Sequence, residues 1–166
     1  MATVYHQFDA MSAQFLSTAF PALVRNGTNV PVYGLAFDAA TDEAAFWTFR
    51  AQNYGSGNLT VNIDWYADTA STNDVVWGVQ LAAITPDADT TDVEAKTLAT
   101  ANTGTDTHLG TTGQRLHRAV VTLSNLDSLA NNDNVWLRVY RDADAAGDTM
   151  TGDAILVLVT VSYSDT

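Results

Sequence analysis

Apolar and polar residues alternate with a period of two along most of this chain. Between residues 59 and 65, Leu59, Val61, Ile63 and Trp65 fall on one face, and Thr60, Asn62 and Asp64 on the other. The same rhythm places Ala45, Trp47 and Phe49 together, then Val75, Trp77, Val79 and Leu81, then Ala119, Val121 and Leu123. It returns with Val135, Leu137 and Val139, and again with Ile155, Val157, Val159, Val161 and Tyr163. Successive side chains of a strand point to opposite faces, so each run predicts a strand with one buried side. Residues 31–37 and 93–100 are fainter candidates, which brings the expected number to about eight. Gly-, Asn- and Asp-rich segments separate the runs, among them residues 54–58, 71–74, 86–89, 131–134 and 145–148.

Short strands with polar turns and no long helical pattern predict an all-β, antiparallel β-sandwich, and eight strands suit a jelly roll. Residues 1–30 differ. Phe8, Met11, Phe15, Leu16, Phe20, Leu23 and Val24 follow no strict alternation, and Pro21 and Pro31 interrupt regular structure. Only Ala10–Ala22 has some helical character. The first thirty residues are therefore expected as an extended N-terminal arm to a sandwich of residues 31–166. It packs either on that sandwich or on a neighbouring subunit.

Composition narrows the classes. The chain has 166 residues, enough for one domain with a substantial core, and 46% are hydrophobic against 16% charged, which excludes disorder. With no cysteine, neither disulfides nor thiolate metal sites nor a Cys nucleophile is available. Seven basic residues stand against nineteen acidic ones, for a net charge of −12, so nucleic acid and anionic membranes would be repelled. The opening residues lack a basic stretch followed by an apolar run, and no 18-residue apolar segment is present, so no signal peptide and no membrane span are expected and folding in a cytoplasm is.

Catalytic chemistry finds no purchase. The three histidines, His6, His108 and His117, form no HExxH pattern and accompany no Gly-x-Ser-x-Gly elbow; surface or turn positions are expected for them. Glu43 and Glu94 are the only glutamates, and the aspartates cluster in turns, where they satisfy local backbone. No catalytic residue is assigned and the chain is read as a non-enzyme. Asp142, Asp144, Asp148 and Asp153 surround a glycine turn and are the candidate ligands for Ca²⁺, which prefers several hard oxygens; the spacing is not that of an EF-hand, and a solvated acidic turn is the competing reading. No other cofactor is expected.

Trp47, Trp65 and Trp77 belong to inward faces and are expected in the core. Trp136 and Tyr140 lie opposite Val135, Leu137 and Val139, with Arg138 between them, while Leu156 and Leu158 lie on the nominal outer face of the last strand. Exposed apolar groups on such a face mark an interface or a ligand platform, and subunit contact is preferred. The expected interface comprises these four residues with Phe8, Phe15, Phe20, Leu23 and Val24, in a homo-oligomer with a trimer favoured.

Three stretches carry a resemblance: Gly57–Ala67 (GNLTVNIDWYA) continuing through Asp74–Val79, Leu126–Asp142 followed by Met150–Leu156, and Phe46–Arg50 (FWTFR). Together they resemble small β-sandwich virion proteins of tailed phages, over roughly residues 30–165. The resemblance implies a jelly-roll-like structural protein on the particle exterior, such as a capsid decoration protein, partnered by itself and by the major capsid protein or another virion protein. The same phrasing is similar to non-catalytic carbohydrate-binding jelly rolls. That implies the alternative of a receptor- or glycan-binding domain of a tail or fibre, with a surface glycan as partner.

Overall fold

The computed structural model describes residues 2–70 and 72–165. Met1 and Thr166, the outer ends of the two expected regions, and Ser71, the first residue of the 71–74 turn, lie outside them. The described residues form ten strands: β1 (Thr3–Asp9), β2 (Ala22–Asn26), β3 (Val32–Phe37), β4 (Ala44–Arg50), β5 (Leu59–Ala67), β6 (Asp74–Ile84), β7 (Asn102–Thr107), β8 (His117–Leu123), β9 (Asn134–Arg141) and β10 (Ala154–Ser164). One sheet runs β2-β3-β10-β5-β8, with β1 also paired to β10, and the other runs β4-β9-β6-β7. All pairings are antiparallel. The expected all-β antiparallel sandwich is the fold, with more strands than the sequence suggested.

The core lies between the sheets and is built from the alternating residues. Leu59, Val61, Ile63 and Trp65 of β5 meet Trp47 of β4, Val75, Trp77, Val79 and Leu81 of β6, and Val135, Leu137 and Val139 of β9. Trp47, Trp65 and Trp77 are fully buried, and the rings of Trp65 and Trp77 meet edge-on at 6.2 Å. Each such side chain withdrawn from water contributes about 1.5–3 kcal/mol, the main source of stability in a chain with no disulfide.

Four expectations need revision. Of the two placements left open for the first thirty residues, the structure shows packing on their own sandwich, as paired strands and a strap. Val4, His6 and Phe8 of β1 point inward, β1 pairs with β10 from Thr3↔Ser164 to Asp9↔Leu158, and Phe8 stacks on Trp47 at 6.2 Å. Residues 14–19 then strap the free edge of β4 through Gln14↔Phe46 and the Ala44 N–H to the Ala19 carbonyl, and β2 pairs with β3. The helical character of Ala10–Ala22 amounts to one 3₁₀ turn, Ala10–Ser12, capped by Asp9.

The second correction concerns β10. Its pairing with β5 shifts register between Leu156 and Leu158, so one extra residue, Val157, enters the strand. The inward phase flips there. Leu156 is fully buried in the core and is no outer-face interface residue, whereas Ile155 and Val157 pack on the outside with Ala36, Tyr66, Val24 and Val32. Leu158 stays half-buried. Third, residues 93–100 form a 3₁₀ turn and irregular chain, and the strand follows at β7, whose inward residues Asn102, Gly104 and Asp106 are not apolar. Gly104 suits the close approach of β8, because a Cβ there would stand 3.0 Å from the Val120 carbonyl.

Fourth, His108 and His117 are not surface residues: they are 0% and 8% exposed, with ring centroids 4.5 Å apart. Trp65 lies against both rings and donates its indole N–H to Asp106 at 2.8 Å. The Gly110 N–H donates to Nδ1 of His108 at 3.1 Å, fixing that nitrogen as an acceptor. Burial first, then His108 and Arg115, push the His117 pKa below the ordinary 6.5, against the opposing pull of Asp106. A lowered imidazole pKa in the folded state means that stability is complete above the unfolded value of about 6.5 and is lost as pH falls through the folded value. Denaturant unfolding from neutral to mildly acidic pH is expected to show the wild type losing more stability than His117→Gln. Parallel losses in the two proteins would show that His117 does not titrate this way.

Candidate functional site

The outer face of the four-stranded sheet carries the groups that chemistry can use. Across β4, β9 and β6 the register sets Phe46, Arg138 and Gln80 in one row, Thr48, Trp136 and Ala82 in the next, and Ala44, Tyr140 and Gly78 in the row on the opposite side of Arg138. Each row is one outward step of the pleat, because alternate residues of a strand share a face. A groove of about 440 Å³ opens over the first two rows. Phe46, Trp136 and Ala82 form its floor, Phe15 and Leu16 of the strap form one wall, and Val93, Glu94, Lys96 and Leu98 form the other. Its size lies within the ordinary range of ligand clefts.

Both walls are tied down. The strap holds β4 through the reciprocal Gln14 and Phe46 backbone bonds of 2.8 and 2.9 Å. The opposite wall is held where the Ala99 N–H donates to the Leu81 carbonyl and Gln80 Nε2 donates to the Ala99 carbonyl, each at 2.9 Å. Lys96 adds an ion pair of 2.9 Å to Asp127, whose carboxylate also accepts the Ala83 N–H. Trp136 and Phe46 remain half-buried, so an edge or face of each stays open to the groove.

Past Arg138 the face changes character. Arg138 Nη1 donates to Gln80 Oε1 at 2.5 Å, and its guanidinium sits 4.1 Å from the centre of the Tyr140 ring. Tyr140 is buried, because its ring lies over Gly78 on the paired strand, where a Cβ would come within 2.2 Å of it. Tyr140 is therefore not the exposed contact residue expected from the sequence. Burial raises its phenol pKa, and Asp142 adds to the effect.

At the same end, carboxylate oxygens of Asp42, Asp142 and Asp144 all lie within 4.8 Å of one another. Burial, then Asp42 and Asp144, push the Asp142 pKa up. Three like charges this close repel unless a proton or a cation sits among them, so the group can hold a hard metal ion. Two of the four ligands expected from the sequence, Asp142 and Asp144, are brought together. Asp148 is not with them: its carboxylate is bound bidentately by the buried Arg141 at 2.7 and 2.9 Å and accepts the Val76 N–H at 3.0 Å. Asp153 is not with them either. Its pKa is raised by burial and then by Asp38, with Asp68 a smaller contribution. Asp42 was missed because it lies a hundred residues away, before β4.

The remaining interface candidates are spread over several surfaces. Phe15, Phe20 and Leu23 are 42%, 48% and 53% exposed, and the Phe15 and Phe20 rings meet at 5.7 Å. Phe8 and Val24 pack against their own sandwich.

No family model matches the sequence, and no curated protein matches it. Solved structures do. The Xyl-CBM35 module in complex with a glucuronic acid-containing disaccharide superposes with a TM-score of 0.57 at 13% identity, over 96% of this chain and 97% of that one. A CBM35 from Cellvibrio japonicus Abf62 gives 0.53 at 12% identity, over 98% and 99%. At such identities the likeness shows a shared fold. It supports the phage resemblance as far as the jelly-roll sandwich and no further.

Calcium in the millimolar range is expected to raise the melting temperature above that in EDTA, because a ligand bound by the folded state alone stabilises it by mass action. Asp142→Asn should remove that increment. Equal melting with and without calcium would leave the three carboxylates to solvent.

Proposed function

We propose that this chain is a non-catalytic carbohydrate-binding domain whose groove over β4, β9 and β6 receives the sugar. The observation that carries the reading is the half-buried Trp136 on the floor of an open groove, with Phe46 in the adjoining row. Sugar rings present flat C–H surfaces that pack on aromatic faces, and their hydroxyls need polar groups at the margins, which Gln14, Glu94 and the Gln80–Arg138 pair supply. The similar structures add support, since both are carbohydrate-binding modules covering almost the whole chain. They favour this reading over capsid decoration, which rested on strand phrasing alone. Glycan binding also suits Trp136 better than the subunit contact preferred from the sequence, because the strap and the 93–98 segment stand as walls on either side of it and leave a channel.

The reading needs no cation in the groove. A metal at Asp42, Asp142 and Asp144 would instead stiffen the chain leading into β4 and out of β9, where the Ala143 N–H already donates to Asp42 at 2.8 Å.

Affinity electrophoresis through gels containing plant and microbial polysaccharides is the direct test. The protein is expected to be retarded by at least one of them. Trp136→Ala should weaken that binding about tenfold or more, the scale of a central aromatic anchor, with an unchanged far-ultraviolet circular dichroism spectrum. Free migration through every polysaccharide, or a Trp136→Ala variant retarded like the wild type, would overturn the proposal.

A further inference from the structure

We propose that this groove seats the end of a glycan chain, with the rest of the chain leaving over Asn134, and does not bind chain interiors. The inference rests on the carbohydrate reading above and adds which part of a polysaccharide is recognised. It comes from the way exposure changes along β9, which runs beneath the groove between its two walls. Tyr140 is buried at 9% exposure, Arg138 and Trp136 are half-buried, and Asn134 is exposed. The flanking strands follow the same gradient. Ala44 and Gly78 beside Tyr140 are buried, Phe46 and Gln80 beside Arg138 are half-buried, and Arg50 beside Asn134 is exposed.

The buried end is closed by stacked layers. The strap crosses Ala44, whose N–H donates to the Ala19 carbonyl at 2.9 Å. The Tyr140 ring fills the space over Gly78, and the Arg138 guanidinium lies 4.1 Å from the centre of that ring, held by Gln80. Beyond them the Ala143 N–H donates to Asp42 at 2.8 Å and ties two loops together. A chain in the groove therefore meets a stop behind Phe46, the last floor residue in this direction.

The opposite end has no such cover. The strap's backbone pairing with β4 goes no further than the Gln14↔Phe46 bridge, and Thr48, Arg50 and Asn134 stand exposed beyond it. A second hollow of about 280 Å³ lies there, lined by Thr48 and Asn134 and sharing Trp136 with the first. From Arg138 to Asn134 the strand rises about 13 Å, at roughly 3.3 Å per residue, more than one pyranose ring spans. A terminal sugar can rest on Phe46 and Trp136 against the stop while the chain continues across the second hollow. An interior sugar carries chain on both sides, and one side would have to pass through Tyr140 and Arg138. A clash built against one arrangement gives specificity as effectively as added contacts to the other.

The test is calorimetric titration of the full chain with xylan, mannan, mixed-linkage glucan, polygalacturonate and alginate, each intact and after partial endo-cleavage to a counted number of chain ends. For each polymer that binds, the moles of protein bound per gram are expected to rise in proportion to the ends. Arg138→Ala takes the upper layer off the stop, so it should gain sites on intact chains and exceed the wild-type capacity per gram. Capacity that stays level or falls after cleavage would overturn end recognition and leave the carbohydrate reading standing. An Arg138→Ala variant with wild-type capacity on intact chains would remove Arg138 from the stop. Failure of every polymer to bind, intact and cleaved, would overturn the carbohydrate reading itself.

Discussion

The ion pair of Arg141 and Asp148 is the constraint on which the sandwich's upper end depends. Arg141 closes β9 with its side chain fully buried. All five of its N–H donors find acceptors: both Asp148 oxygens, the Gly152 and Met150 carbonyls at 2.8 and 2.5 Å, and the Phe37 carbonyl at 3.4 Å. Asp148 in turn accepts the Val76 N–H. One guanidinium thereby joins the end of β3, the interior of β6, the end of β9 and the loop leading to β10. Burying two charges costs several kcal/mol each, so such a pair is retained for what it positions, and removing one partner strands the other at about 3–5 kcal/mol. What it positions is the turn of residues 142–153, and with it Asp142 and Asp144 opposite Asp42.

The groove depends on a different device, backbone capture of two irregular segments. Neither the strap of residues 14–19 nor the chain of residues 93–99 is a regular strand, yet each hydrogen-bonds to the outermost backbone it passes or to a side chain beside it. The strap covers the free edge of β4, an edge that would otherwise invite pairing with another chain. The same cover gives the outer face its first wall, and the Lys96–Asp127 pair gives it the second. Edge protection and site formation are one structural solution, and Trp136 is left on the floor because both walls rise beside it.

The alternation of β4, β5, β6, β8 and β9 was legible because apolar residues on one face of a strand have one plausible destination. What could not be read had local physical causes. β7 carries Asn102, Gly104 and Asp106 on its inward side, so no hydrophobic rhythm marks it. β1 interposes His6 between Val4 and Phe8, which hides the period although the face is real. The bulge at Val157 reverses the phase of β10, and nothing in a run of Ile, Leu and Val announces where an extra residue sits. The acidic cluster was half legible: Asp142 and Asp144 were near in sequence, while Asp42 arrives only through the pairing of β4 with β9. Trp136 was correctly placed on the outer face. The walls that turn this face into a channel come from the two segments that alternate least.

The central claim is that one tryptophan of four meets the ligand. A proton–nitrogen correlation spectrum of the labelled chain resolves an indole N–H for each, and titration with an oligosaccharide from a polysaccharide that retards the protein follows all of them at once. The account predicts that the Trp136 indole resonance moves with saturation while those of Trp47, Trp65 and Trp77 stay in place, because these three are sealed in the core. An indole set that does not respond to a bound glycan, or one in which the core tryptophans shift and Trp136 does not, would contradict it.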